Sequence, residues 1–355
     1  MIKKLPIKID AIVQSECWTY YKLSIIEAYK NGRDWIASHM PLYVDGKGSA
    51  WFGNSDNAIL GMRYFSDILL FEKMSFWEIN VNEIIDSIID LIDSNKYALI
   101  YLFTPPEYKK EHDYLIYGYD KDNKKFFTSI IKNGGRFIKC SISFNEFIKG
   151  FIEIRKWYQN KQDVLDQKLF WFFSFTAISI KENKKSDWND FECMQRLLKD
   201  LEGKGYIELD EFQKNEGYST HKIYYGIACI IGARDFIKGI VDSKRFIDES
   251  LFDDLSHRLI KSLRKIYEYM RILEICLNSI KNSDFWDCSN EECVKALDVF
   301  KDCCTEFKKA YLLAIKFRTN RDWRIPDGLL LRLDSLYIDI KSVIQQFVDN
   351  TQKKN

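Results

Sequence analysis

Apolar positions change their spacing several times along the chain. Residues 18–31 carry them at helical spacing and are followed by Gly32, which predicts a helix that begins at or just after Cys17. Residues 78–95 repeat isoleucine and valine at the same spacing and predict a second helix. Four short segments rich in β-branched and aromatic residues follow at 97–104, 113–119, 124–131 and 136–142. Because tight turns separate the later ones, they predict an antiparallel sheet.

The rest of the chain is dominated by helical patterns. Residues 143–158 predict a helix, whereas 168–180, "KLFWFFSFTAISI", fits either a buried strand or a helix. The lysine-rich 181–187 is the best candidate for a linker, and beyond it helices are predicted at 188–203, 221–241, 247–281, 289–318 and 327–350. The sequence therefore predicts an α+β domain over 1–180 and an all-helical domain over 181–355.

Composition excludes several classes of partner. The chain has 53 Lys and Arg against 52 Asp and Glu, a net charge of +1, so no overall field attracts nucleic acid or an anionic membrane. No window approaches the about 18 uncharged apolar residues of a membrane span, and the N-terminus lacks a signal-peptide pattern. We therefore predict a cytoplasmic protein without nucleic-acid or membrane partners. Its nine cysteines are predicted to be free thiols.

Cys17 is the residue most suited to nucleophilic chemistry. A cysteine at a helix N-terminus gains from the helix dipole and from free backbone N–H groups, which favour thiolate and can stabilise an oxyanion. A base is also needed, and the chain has four histidines. Of these, His112 opens a predicted strand of the sheet that follows the Cys17 helix. The pair suggests a nucleophile and its base; the alternative is that Cys17 is a small buried core residue.

Hairpin geometry narrows the choice of a third catalytic residue. A turn at 120–123 that places Tyr119 opposite Lys124 puts His112 across from residue 131. Asn133 then lies at the same end of the hairpin and is predicted to orient the imidazole, with Ser129 as a weaker substitute. Asp113 is adjacent in sequence but points to the opposite face from His112.

Two stretches resemble a known superfamily. "CW" at a helix start and the later hairpin "HDYLIYGYDKDNKKFF" are similar to the papain-like cysteine peptidases, over about residues 8–180. Within that superfamily the chain resembles the C39-peptidase-like and butirosin-H-type acyltransferases of thiotemplated natural-product pathways. The resemblance implies a papain-like fold, Cys17 as nucleophile and His112 as base. It also implies an acyl-carrier-protein or other acyl thioester as donor and an amine as acceptor.

The sequence departs from the family pattern at two places. The oxyanion glutamine of the family precedes the cysteine by six residues, where Ala11 stands; Gln14, three residues before Cys17, is the remaining candidate. The aspartate expected after the histidine strand is replaced by Thr128 and Ser129. Papain-like enzymes also use asparagine, which is consistent with Asn133.

Aromatic residues form 15% of the chain and could line a channel for an acyl substrate. Trp18 and the run 170–173 are candidate walls, and His39, in a predicted loop, is a candidate substrate contact.

No metal or cofactor is predicted. The cysteines at 288, 293, 303 and 304 do not match a zinc spacing, and the sequence has neither a phosphate loop nor HExxH.

Two other functions remain open. One is a peptidase or amidase of the same fold, in which water replaces the amine. The other is a non-catalytic natural-product-binding protein.

Overall fold

The chain divides into two compact units. The computed structural model describes residues 1–30, 32–45, 47–52, 65, 68–75, 79–103, 111–132, 136–159, 174–181, 190–202, 205–208 and 222–354. The first unit comprises Met1–Gly32 and Met62–Ser186, and the second comprises Arg33–Gly61 and Asp187–Asn355.

Helices and strands are numbered in chain order over the described residues. The helices are α1 (Cys17–Ile26), α2 (Gly32–His39), α3 (Ile84–Asp93), α4 (Phe144–Gln159), α5 (Asp190–Glu202), α6 (Cys229–Ser243), α7 (Glu249–Lys281), α8 (Glu291–Asn320) and α9 (Arg324–Asn350). The strands are β1 (Ile2–Lys4), β2 (Leu42–Asp45), β3 (Ala50–Phe52), β4 (Leu69–Ser75), β5 (Tyr97–Phe103), β6 (Glu111–Asp120), β7 (Lys125–Lys132), β8 (Arg136–Ser143), β9 (Ser174–Ile180), β10 (Tyr206–Glu208), β11 (Lys222–Tyr225), β12 (Trp286–Asp287) and β13 (Gln352–Lys353).

The first unit is built on a seven-stranded antiparallel sheet. Its strand order is β4-β9-β5-β6-β7-β8, and β1 pairs with the end of β6. The predicted antiparallel sheet is confirmed, as β5 to β8 coincide with its four predicted strands. Residues 174–180 form strand β9, which lies between β4 and β5; residues 168–173 lie outside the described part. The α+β class of the chain is therefore established.

Helices cover both faces of this sheet. On one face, α1 packs through Tyr20, whose ring stacks on Phe137 of β8 and whose hydroxyl lies 3.3 Å from the Ser129 hydroxyl of β7. On the other face, Phe126 of β7 packs against Phe147 of α4. Residues 126 and 129 point to opposite sides of β7, since side chains alternate along a strand. The core of the first unit therefore has two layers, one on each side of the sheet.

The β6–β7 hairpin has a different register from the predicted one. Asp120 pairs with Lys125 rather than Tyr119 with Lys124, because the turn includes Lys124, whose φ is +46°. An irregularity between Ile116 and Gly118 then shifts the pairing again, as in a β-bulge. The β6–β7 register predicted from periodicity was wrong because neither the length of the turn nor the bulge changes the alternation of apolar residues.

The second unit is not all-helical, contrary to the prediction. It contains a four-stranded antiparallel sheet in the order β10-β11-β2-β3. Residues 222–225 form β11 rather than the start of the helix predicted at 221–241, and the helix itself begins at Cys229. Residues 222–225 are extended because they pair with β2 (residues 42–45). The β2 strand belongs to segment 33–61, which is part of the second unit.

The long helices of the second unit follow the predicted pattern. The α7 helix buries an apolar stripe that includes Leu259, Leu263 and Ile266, and α8 packs beside it. The α9 helix packs against α8 and α6. Asn290 caps α8, since its side chain accepts a hydrogen bond from the Cys293 amide at 2.8 Å. Among the described helices, none combines the length and apolar composition needed to cross a membrane.

A buried polar network joins the N-terminal segment of the second unit to its helices. The Arg196 guanidinium of α5 donates to the carbonyl oxygens of Ala37 and Met40 at 3.1 and 2.7 Å. It also donates to the Tyr269 hydroxyl at 3.0 Å, and that hydroxyl donates to Asp200 at 2.6 Å. Burial raises the pKa of Tyr269. The network satisfies carbonyl groups at the end of α2 that the helix itself leaves unpaired.

Gly226 lies against this network, and its replacement tests how tightly the network is packed. Its φ is +61°, and a Cβ there would lie 2.4 Å from Asp200 Oδ1. We expect Gly226→Ala to lower the free energy of unfolding by about 2 kcal/mol or more. Gly239→Ala, in α6 where a Cβ would meet nothing within 4 Å, should raise it by up to about 1 kcal/mol. Urea denaturation followed by circular dichroism measures the free energy of unfolding of both variants. Equal stability of the two would contradict the tight packing of Gly226 against Asp200.

Candidate functional site

Cys17 is the first residue of α1. Its N-cap, Glu16, has extended backbone angles, φ −136° and ψ 122°. The Glu16 carboxylate accepts a hydrogen bond from the Thr19 hydroxyl at 2.7 Å and does not cap a backbone amide in the described part of the chain. Cys17 is half-buried. The helix begins at Cys17, as the sequence predicted. The half-buried thiol therefore lies at the positive end of a ten-residue helix.

The direction of α1 over the sheet places Cys17 near the start of β6. Beyond the C-terminal end of α1, the Tyr29 hydroxyl lies 3.3 Å from that of Tyr97, the first residue of β5. Nearer the N-terminal end, the Tyr21 hydroxyl donates to the Asp113 carbonyl of β6 at 2.7 Å. Cys17 precedes Tyr21 by about one helical turn, or about 6 Å. It thus lies toward the end of the sheet where β5 finishes and β6 begins, the end that carries His112.

Tyr21 and His112 meet at one oxygen atom. The carbonyl oxygen of Asp113 accepts the Tyr21 hydroxyl, and His112 Nδ1 lies 3.3 Å from the same oxygen. Since a carbonyl only accepts, a hydrogen bond there requires the proton on Nδ1. Burial, followed by the charges of Asp113 and Cys17, raises the pKa of Tyr21. The structure therefore places Tyr21 of α1 and His112 of β6 against the same backbone oxygen.

The side-chain alternation of β6 gives the site an unexpected feature. Leu115 pairs with Ser129, which faces α1, so Asp113, two residues earlier, also faces α1. The His112 side chain leaves β6 on the opposite face from Asp113, as the sequence predicted for these two neighbours. Its Nδ1 lies 3.3 Å from the Asp113 carbonyl oxygen. Asp113 is 5% exposed. A buried carboxyl group thus belongs to the surroundings of Cys17.

The remaining predicted residues of the first unit are only partly described. Asn133 lies outside the described residues, and so does the side chain of Trp18, whose backbone is in α1. The Gln14 side chain donates to the Ala11 carbonyl at 3.3 Å, within the loop that leads into α1. Ser129 contacts the Tyr20 hydroxyl. The roles proposed for these residues from the sequence remain predictions.

His39 belongs to the second unit and is not in a loop. It is the last residue of α2, and its ring stacks on Trp35 at 5.0 Å between centroids. Its Nδ1 lies 2.7 Å from the Ser38 hydroxyl, and Nε2 lies 4.0 Å from Glu192. The prediction that His39 lies in a loop was wrong: residues 42–45 pair with β11 and β3, and the residues before them form the short helix α2. A role in substrate binding stays a prediction.

Sequence reasoning missed Tyr21 and Asp113. Tyr21 follows Cys17 by four residues, a spacing that places both on one helix face and that could have identified it. Asp113 was noticed only as a neighbour of His112. Its backbone carbonyl has no signature in the sequence, since its role depends on the position of α1.

Most of the other cysteines are buried. Cys140 is half-buried like Cys17, and its thiol lies 2.9 Å from the Thr128 hydroxyl. The remaining seven are buried, and burial raises the pKa of several of them, that of Cys303 to about 11. Within the described ranges no group of three or more potential metal ligands is found.

No protein-family model matches this chain, and no curated protein matches its sequence. The assignment of roles therefore depends on the geometry of α1 and β6.

Selective alkylation tests the reactivity assigned to Cys17. With limiting iodoacetamide at pH 7, we expect native protein to be modified at Cys17 about tenfold or more faster than at Cys140, because Cys17, unlike Cys140, lies at a helix N-terminus. The seven buried thiols should react only after denaturation. Peptide mapping by mass spectrometry gives the site-specific rates, and Cys140→Ala is the matched control. Preferential labelling of Cys140 would contradict the assignment.

Proposed function

We propose that this protein is a cysteine-dependent acyltransferase with a papain-like first unit. It moves an acyl group from a carrier-protein or other thioester to an amine in natural-product biosynthesis. The observation that supports this proposal most is the convergence of α1 and β6. Cys17, at the N-terminus of α1, and His112, at the start of β6, are connected through Tyr21 and the Asp113 carbonyl.

The first half-reaction transfers the acyl group to the enzyme. His112 takes the proton of the Cys17 thiol, and the sulfur attacks the thioester carbonyl carbon. A carbon–sulfur bond forms as the carbonyl oxygen becomes negative, and the bond to the donor thiol then breaks. The departing thiolate takes the proton from His112. Backbone N–H groups in the first turn of α1 are suitably placed to stabilise the oxyanion.

The second half-reaction forms the amide. The amine attacks the carbonyl carbon of acyl-Cys17 and gives its proton to His112. The new carbon–nitrogen bond forms, the carbon–sulfur bond breaks, and the Cys17 thiolate is protonated again by His112. The sum is one thioester and one amine converted to one amide and one free thiol, without a redox step or a cofactor.

Aminolysis requires that the amine outcompete water. Water at about 55 M reaches any open thioester, so the protein must hold the amine and exclude solvent. The fully buried Tyr21 ring beside Cys17 and the high aromatic content of the chain favour an apolar surrounding for the acyl group. These features favour the transferase over a hydrolase of the same fold. Nine free thiols are consistent with the proposed cytoplasmic location.

Acylation of Cys17 is the direct test. Incubation with acyl thioesters of several chain lengths should add the mass of one acyl group to the wild-type protein and to Cys140→Ala. Cys17→Ala should remain unmodified while its melting temperature stays within about 3 °C of the wild type, since only one half-buried sulfur is lost. Acyl transfer by Cys17→Ala at the wild-type rate would exclude the covalent mechanism.

The acceptor distinguishes the transferase from the hydrolase. With an acyl thioester and a panel of primary amines, we expect the cognate amine to give amide about tenfold or more faster than free acid forms. Without amine, acyl-Cys17 should accumulate and hydrolyse slowly. Chromatography with mass detection separates the two products. If free acid forms equally fast with and without every amine, the protein is a hydrolase.

A further inference from the structure

Charge is distributed unevenly along α8. Its first half, residues 291–306, has five acidic side chains and two lysines, whereas residues 307–320 have four basic side chains and no acidic one. The helix dipole favours acidic residues only in the first turn and basic residues only in the last. The pattern continues into the middle of the helix, where Asp302 is followed by Lys308 and Lys309. The polarity of the helix therefore does not account for it.

Exposed aliphatic side chains lie on α8 and on its neighbour α9. On α8, Leu312 and Ile315 are 51% and 36% exposed, and on α9 Leu331 and Ile338 are 76% and 65% exposed. Leu331 and Ile338 are seven residues apart and therefore share one face of α9. Leu312 also lines a groove of about 360 Å³ together with Arg332 of α9. Large aliphatic groups gathered on one surface are typical of a protein–protein contact.

A salt bridge sets the relative level of α8 and α9. The two helices are neighbours joined by a short connection and therefore run antiparallel. Glu306, at the boundary between the acidic and the basic half of α8, accepts from the Arg332 guanidinium at 2.6 Å. Along the axis of α9, Arg332 lies within about 4 Å of the midpoint between Leu331 and Ile338. The centre of the charge pattern and the centre of the aliphatic pair are therefore at nearly the same level.

We propose that α8 and α9 form a homodimer interface, in which a second copy of the chain docks antiparallel about a two-fold axis at the level of Glu306 and Arg332. Such an axis places the acidic half of α8 against the basic half of the partner's α8. On α9, it places Leu331 against the partner's Ile338. Because the same surface is used on both copies, each contact occurs twice.

Four exposed charges of α8 fit this arrangement. Asp298, Asp302, Lys309 and Lys316 follow one another at spacings of four, seven and seven residues, so they lie along one side of the helix. In the antiparallel pair, Asp302 faces the partner's Lys309, and Asp298 faces the partner's Lys316. The midpoints of both pairs lie within one residue of Glu306. The charges of α8 and the aliphatic pair of α9 thus indicate the same axis.

The two signs of charge select a second copy over another partner. A uniformly acidic protein would match residues 307–320 but would be repelled by residues 291–306, and a uniformly basic protein would do the reverse. The ion pair between Lys301 and Asp298, at 3.0 Å within α8, is exposed, and such pairs contribute little. It can therefore be exchanged for a pair between copies. Burial of the aliphatic side chains supplies affinity, and the charges determine the register.

Two charge variants test the antiparallel register. Asp298→Lys/Asp302→Lys makes both halves of α8 basic, and Lys309→Glu/Lys316→Glu makes both halves acidic. Sedimentation velocity of the full chain over a concentration series gives the dissociation constants. We expect a wild-type dimer and, for each variant alone, association about tenfold or more weaker, since the facing charges are alike. An equimolar mixture of the two variants should dimerise as tightly as the wild type, because each acidic half then faces a basic half.

Removal of one aliphatic side chain tests the contribution of α9. Leu331→Ser should weaken the dimer about tenfold, because that side chain is buried only in the dimer. Phe246→Ser is the matched control, since it removes an 84% exposed ring just before α7 and should leave the dissociation constant unchanged. Circular dichroism spectra should be the same for all variants, because the substituted side chains are exposed.

Three results would contradict the homodimer. A wild-type chain that stays monomeric at the highest concentration would overturn it and leave the basic half of α8 to an acidic partner. A dimer that neither charge variant weakens would show that the copies meet at another surface. A mixture of the charge variants that stays monomeric would exclude the antiparallel register. Cys17→Ala should dimerise like the wild type, so these outcomes do not depend on the proposed function.

Discussion

The packing of α1 on the sheet of the first unit determines where Cys17 and Tyr21 lie. Tyr20 and Tyr21 are fully buried between the helix and the sheet, and a buried tyrosine hydroxyl is costly unless it finds a hydrogen-bond partner. Tyr21 satisfies this requirement at Asp113 near one end of the sheet. The Tyr97 hydroxyl, which donates to the Pro6 carbonyl at 2.6 Å, ties the chain before α1 to the other end. The direction of α1 is thereby fixed, and with it the position of Cys17.

Much of the fold follows from local pattern. Isoleucines of α3 at helical spacing are buried, and the four aromatic and β-branched segments form β5 to β8. In these elements the side-chain period and the buried face agree, so local sequence is sufficient. The pattern fails where pairing partners are distant. Residues 222–225 become a strand because they meet residues 43–45, a pairing that no local signal contains.

The hairpin register shows a second reason for failure. The hairpin closes at the pair Asp120–Lys125 instead of the predicted pair, and its register shifts again at 116–118. Neither change alters the alternation of apolar residues, so the sequence pattern cannot reveal them. The candidate site shows a third. Cys17 and His112 are recognisable by residue type and by position at the start of an element, but the Tyr21 hydroxyl donates to a backbone oxygen. A carbonyl carries no residue identity, and its role appears only when helix and strand are seen together.

Burial also explains how one thiol could react among nine. Seven cysteines are enclosed in cores, where desolvation disfavours the thiolate, and burial raises the pKa of Cys229 and Cys276 well above the usual range. Cys140 is accessible but projects from the middle of a strand, without a helix terminus. Cys17 alone combines accessibility with the N-terminus of a helix. Asp113 is buried and faces α1, where a negative charge would oppose a thiolate at Cys17. The position of Cys17 at the start of α1 and the buried carboxyl group of Asp113 therefore have opposite effects on the thiolate.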